Sequence, residues 1–189
     1  MPVQITSLTI PEVRLVVPDR FGDARGFFSE TYSRRDFAAG GIPDEFVQDN
    51  HSRSSGAGTV RGLHYQLPPH AQGKLIRVLR GSILDVAVDI RRGSPSFGAH
   101  VAVTLSAELG NQLFIPAGFA HGFCTLEPDT EVAYKVTAYY SRERDRGIRW
   151  NDPALAIAWP VAAQGAVLSA KDVALPLLDA VPEGELFTA

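Results

Sequence analysis

The chain has 189 residues, with 18 basic and 21 acidic side chains and a formal net charge of −3. That is one domain's length, able to bury roughly 70% of its unfolded surface without a disulfide or metal staple. The 45% hydrophobic and 21% charged fractions exclude a disordered or fibrous chain, and the balanced charge excludes a general nucleic-acid binder while leaving room for a local basic pocket.

The opening MPVQITSLTI has no basic segment ahead of a long apolar run, so no signal peptide is expected. Residues 5–17 read as strands broken by Pro11, pairing with the main sheet or with a partner subunit. Ser33 is placed to cap a short helix over residues 34–39, stopped by the Gly40-Gly41 pair. Short runs rich in β-branched residues follow at 75–79, 83–90, 101–105, 112–115, 122–126 and 132–138. The clearest is 83–90, where Ile83, Asp85, Ala87 and Asp89 alternate with Leu84, Val86, Val88 and Ile90. One face of that strand therefore carries two carboxylates. Ser169-Ala-Lys-Asp172 has capping-box spacing and opens a turn of helix before Pro176. With 17 Gly and 13 Pro punctuating the strands, the pattern predicts an all-β sandwich, jelly roll or barrel. The lone Cys124 rules out an intramolecular disulfide and points to a reducing compartment. Apolar runs are short and interrupted, so no transmembrane helix and a cytoplasmic location are expected.

Chemistry concentrates in two stretches. Gly110-Asn-Gln-Leu-Phe-Ile-Pro116-Ala-Gly118-Phe-Ala-His121 follows G-x5-P-x-G-x2-H and resembles the second cupin motif. The first motif should supply H-x-H and a Glu as metal ligands. Here Arg61-Gly-Leu-His64-Tyr-Gln66 has one of the two histidines, and Lys74 lies where an acid belongs. Two imidazoles beside an ammonium are too few ligands for a divalent metal. A cupin mouth turned to metal-free chemistry is expected. It would offer His64 and His121 for proton abstraction, Lys74 against a developing oxyanion and Tyr134 as a proton donor. Arg61 would suit phosphate, with Asp85 or Asp89 directed inward. Taken singly, Tyr134 is a strand tyrosine packed on a sheet, Asp172 a helix cap, and Arg142, Arg144, Arg146 and Arg149 a solvated run.

The ordered segments Phe21-Gly-Asp-Ala-Arg25-Gly-Phe-Phe-Ser-Glu30, Phe46-Val-Gln-Asp-Asn50, Arg61-Gly-Leu-His64-Tyr-Gln66, Gln72-Gly-Lys74-Leu75, Asp85 to Arg91, Ser94-Pro-Ser-Phe-Gly98, Ile115 to Phe123, Tyr134-Lys135, Tyr139-Tyr140-Ser141, Gly147 to Pro153 and Leu168-Ser-Ala-Lys-Asp172 resemble the dTDP-4-dehydrorhamnose 3,5-epimerases. The match runs from about residue 10 to 180. The resemblance implies one cupin-type jelly-roll (double-stranded β-helix) domain over 1–189 with a few short peripheral helices. Strands at about 1–20 would cross to the partner of a homodimer, and residues 150–189 would pack on the barrel. It implies a dTDP-sugar substrate, dTDP-4-dehydro-6-deoxyglucose, no cofactor, no metal, no nucleic acid and no membrane. His64 would be the base, Asp172 its orienting carboxylate, Tyr134 the acid on the opposite face and Lys74 the enolate stabiliser. Substrate contacts would come from Phe21, Arg25, Glu30, Gln48, Asp49, Asn50, Arg61, His121, Lys171 and Asp145, the last standing where the family usually has Glu. Rival readings are an epimerase acting at C-3 or C-5 alone in an antibiotic-sugar pathway, a non-catalytic sugar-nucleotide binder and a metal-dependent cupin oxygenase.

Overall fold

A computed structural model describes residues 3–189, so the first two residues of the expected N-terminal strands lie outside the described residues. In chain order the elements are β1 (Val3–Ser7), β2 (Arg14–Pro18), β3 (Phe21–Asp23), β4 (Gly26–Phe28), α1 (Arg34–Ala39), β5 (Gln48–Ser54) and β6 (Val60–Gln66). They continue with β7 (Lys74–Arg80), β8 (Ser82–Asp89), β9 (Arg91–Arg92), β10 (His100–Ser106), β11 (Gln112–Ile115), β12 (Phe119–Thr125), β13 (Thr130–Val136) and β14 (Asp145–Gly147). Then come α2 (Ala170–Val173), two 3-10 turns and β15 (Phe187–Thr188).

One sheet has the order β1-β2-β11-β7-β13-β5 and the other β10-β8-β12-β6-β14. Their inner faces close on Ile76, Ile83, Leu105, Leu113, Phe119 and Phe123, the main core of a jelly roll. Strand β8 shows how the sequence pattern builds this. Ile83 and Ala87 enter that core, while Val86, Val88 and Ile90 face outward into a second cluster. Leu155, Leu178, Val181 and Leu186 of the C-terminal segment cover the second cluster. Outside the six-stranded sheet, Phe37 of α1 packs with Ile42 on Val16, Leu75 and Phe114. Ser33 caps α1 by accepting from the Asp36 amide, and the helix ends at Gly40. β1 and β2 join their own chain's sheet through β2–β11 pairing.

Strands β6 and β12 touch backbone to backbone. A Cβ on Gly62 would sit 2.5 Å from the Gly122 Cα and 2.8 Å from the His121 carbonyl oxygen, so only glycine fits. The register shifts there, between His121 and Phe123, and His121 lands directly opposite His64.

Candidate active site

Toward one end of the sandwich the inner positions turn polar. The five-stranded sheet contributes His64 from β6, Asp85 from β8 and His121 from β12. The facing sheet contributes Lys74 from β7 and Tyr134 from β13, diagonal neighbours in register, since Val136 pairs Lys74 and Tyr134 pairs Ile76. Lys74 spans the gap, its Nζ donating to the His64 carbonyl at 3.2 Å. The cavity between the walls is also lined by Arg61, Ser169 and Asp172. It continues, past His64, Lys74 and Tyr134, into a space bounded by Gln48, Asn50, Tyr140, Asp145 and Lys171.

His64 and Asp172 form a dyad, His64 Nε2 to Asp172 Oδ1 at 2.5 Å. The local sequence at α2 sets the carboxylate. Ser169 Oγ accepts from the Asp172 amide at 3.1 Å and donates to Asp172 Oδ2 at 2.8 Å. Asp172 thus gives its amide to the Ser169 cap of its short helix and its carboxylate to His64, and it is buried. Burial by itself raises the Asp172 pKa, but the His64 hydrogen bond and charge, with Ser169, outweigh it and hold the carboxyl below its ordinary value. An ionised carboxylate only accepts, so it selects the tautomer with the proton on Nε2 and leaves His64 Nδ1 bare to take a proton.

The other groups are tuned by burial. Lys74 is pushed down to about 8, chiefly by desolvation, with Asp85 and Asp145 opposing. Desolvation lowers His121 and keeps its ring neutral at pH 7, although Asp85 accepts from it at 2.7 Å. Desolvation raises Tyr134, so the phenol holds its proton. Of the two inward carboxylates of β8, only Asp85 belongs to the site. Asp89 binds Arg91, Ser94 and Ser96 and pins the turn after β8.

Gln66, at the position of a cupin metal ligand, has another task. Its amide donates to the carbonyls of His70 and Tyr139 and accepts from the Ser141 amide at 2.7 Å. It ties two rim loops together, a role that no sequence motif signals. Asp145, despite its short side chain, takes Lys171 at 2.5 Å and the Tyr140 hydroxyl at 3.1 Å, linking α2 to the loop above the cavity.

The family profile of dTDP-4-dehydrorhamnose 3,5-epimerase matches residues 7–180. The chain belongs to the dTDP-4-dehydrorhamnose 3,5-epimerase family. A dTDP-4-dehydrorhamnose 3,5-epimerase from Sinorhizobium fredii is 54% identical over 176 residues, 93% of this chain and 90% of that protein. A crystal structure of the dTDP-6-deoxy-D-glucose-3,5-epimerase of Legionella pneumophila, in complex with dTDP-4-keto-L-rhamnose, superposes with a TM-score of 0.94. It is 46% identical and covers 100% of this chain and 99% of that one. A 4-keto-6-deoxy sugar epimerase from the novobiocin biosynthetic gene cluster of Streptomyces spheroides gives a TM-score of 0.92 at 33% identity, covering 100% of this chain and 94% of that one.

As a member of this epimerase family, the chain brings together His64, Asp172, Lys74, Tyr134, His121, Arg61, Gln48, Asn50, Asp145 and Lys171 around one connected space. Other expected contacts lie apart from it. Asp49 alternates with Gln48 and Asn50 on β5 and pairs with Lys135 at 2.9 Å on the outer face. Arg25 pairs with Asp23 on the β3–β4 hairpin, where Phe21 is half-exposed. Neither Arg25 nor Phe21 borders the cavity, nor does Glu30 just beyond the hairpin. Arg142, Arg144 and Arg149 are exposed, whereas Arg146 pairs with Glu185 at 2.8 Å.

Proposed function

We propose that this chain inverts C-3 and C-5 of dTDP-4-dehydro-6-deoxy-D-glucose to give dTDP-4-dehydro-L-rhamnose, in deoxysugar biosynthesis. The observation that carries the reading is the placement of His64 with Asp172 on one wall and Tyr134 on the other. The C-4 ketone acidifies the protons on both neighbouring carbons. His64 Nδ1 takes one of them, and the electron pair passes into the C-4 oxygen as an enolate. Lys74 donates to that oxygen and stabilises its charge. Tyr134 then delivers a proton to the same carbon from the opposite face, which inverts it. The imidazolium and the phenolate return to their starting states by proton exchange with solvent before the second carbon reacts. Asp172 supports the imidazolium between steps.

The test is incubation of the purified protein with this sugar nucleotide in deuterium oxide, followed by NMR. Deuterium at both C-3 and C-5, with formation of the L-rhamno product, is the expected result. Likeness to a 3'-monoepimerase from Streptomyces bikiniensis, 32% identical with a TM-score of 0.89, keeps a single-carbon epimerase as the second reading, and deuterium at one carbon alone would establish it. No exchange would leave a sugar-nucleotide binder. Tyr134→Phe should separate the two half-reactions. Net inversion falls about 10²-fold or more while exchange at the abstracted position survives, and an equal loss of both would remove Tyr134 as the acid.

The active form is read as a cytoplasmic homodimer. Strands β3 and β4 pair only with each other among the described residues, and Phe27 and Phe28 are 64% and 63% exposed. A two-stranded hairpin with its aromatics in water is marginal. Seated on a second copy, it would hide those rings and carry Phe21 and Arg25, with Glu30, to the partner's cavity. Sedimentation should give twice the 20.4 kDa chain mass. A monomer that is fully active would overturn this assembly.

A further inference from the structure

We propose that Asp85 is a positioning residue of this site: held by His121, it fixes a negative charge near Lys74 that keeps the lysine an ammonium without occupying its N–H donors. Asp85 is fully buried, and its Oδ1 accepts from His121 Nε2 at 2.7 Å. Its Oδ2 is buried with no hydrogen-bond partner among the described residues. A buried carboxylate oxygen without a protein donor calls for an account, and a nearby cation that uses its charge supplies one. Lys74 is the cation that feels it. Lys74 makes a hydrogen bond to the His64 carbonyl and none to Asp85. A direct ion pair would hold the ammonium and its donors. A carboxylate that acts through space keeps the charge and leaves donors for the substrate's developing oxyanion.

The groups around Lys74 single out Asp85. His64 of β6, His121 of β12, Asp145 of β14 and Lys171 of α2 face it along with Asp85, and Arg61 and Tyr134 line the same cavity. Asp145 is paired with Lys171 at 2.5 Å, so the two offset each other at Lys74. Asp85 is paired with an imidazole that burial keeps neutral, so its charge is not cancelled. His121 is thereby fixed with its proton on Nε2, and its Nδ1 is left as an acceptor.

The test uses the full chain, which contains only three lysines, at 74, 135 and 171. Their 13Cε resonances can be followed separately through a pH titration. In Asp85→Asn the Lys74 midpoint should fall by about one unit or more, against about 8 in the wild type. The alkaline limb of the epimerase rate should move with it, costing about fivefold or more at pH 8, and Asp85→Glu should restore both. An unchanged Lys74 midpoint in a folded Asp85→Asn protein would overturn the proposal. So would a charged His121 ring in the wild type at pH 7, seen by 15N NMR, which decides the matter should the variants fail to fold. The rate arm rests on the epimerase reading. If the wild type does not turn over, that reading fails, while the lysine titration still decides the role of Asp85.

Discussion

His64→Ala is expected to remove deuterium incorporation at both C-3 and C-5, by about 10³-fold. His64 is the imidazole held by a buried carboxylate on the cavity wall, and loss of a positioned base costs about 10²–10⁴-fold. One base serving both carbons requires both exchanges to fall together. Loss at a single carbon would mean that a second base serves the other, and His121 is the remaining imidazole in the cavity. Stability falls too, because Asp172 stays buried with Ser169 as its remaining donor, at a cost of about 1–3 kcal/mol. The pH dependence of that loss has a definite sign. A carboxyl with a lowered folded pKa stabilises the fold above its unfolded value near 3.9. That contribution is lost as pH falls through the folded value. His64→Ala should therefore differ from wild type most at neutral pH and converge with it in acid, as chemical unfolding from pH 7 down to pH 3 would reveal.

Lys74→Met should make the protein more stable and nearly inactive. The folded pKa of about 8 lies below the unfolded value of about 10.4, so folding opposes the charged lysine. That opposition is about 3 kcal/mol at pH 7, and loss of the hydrogen bond to the His64 carbonyl returns about 1. A net gain of about 2 kcal/mol corresponds to a melting temperature about 5 °C higher. The penalty on the native lysine is full below pH 8 and disappears as pH rises past 10.4, so the advantage of methionine fades over the same interval. Turnover meanwhile falls about 10²–10³-fold, the usual consequence of removing an oxyanion donor. Wild-type turnover should itself decline above about pH 8, as the ammonium deprotonates. A Lys74→Met protein that is both less stable and inactive would show that the lysine is held by contacts rather than strained for catalysis.

The family motifs and the strands with clean alternation were legible in the sequence, and β8 shows why. Its outer Val86, Val88 and Ile90 and its inner Ile83 and Ala87 are apolar positions of period two, with the carboxylates on one face. Both short helices were legible as well, because Ser33 and Ser169 satisfy their orphan amides locally. Strand β5 was not. Gln48-Asp-Asn-His-Ser-Arg-Ser54 has no apolar residue, because its inner face borders the polar cavity and its outer face carries polar pairs, the Lys135–Asp49 ion pair and the His51–Glu131 hydrogen bond among them. Hydrophobic periodicity is silent on a strand with no hydrophobic face.

By itself, the sequence determined the sheet-forming pattern, the turns and which residue types were on hand for proton transfer. It left open whether Asp172 was merely a cap, whether Asp85 or Asp89 faced the site and what Gln66 did. Tertiary structure decided these. His64 and Asp172 are 108 residues apart in the chain and 2.5 Å apart in space. Tyr134 confronts them only because β13 lies in one sheet and β6 in the other. Alternation along a strand says that a side chain faces inward. Which side chains it then meets is set by the packing of one sheet against another, and the opposed walls that inversion requires exist only once that packing has formed.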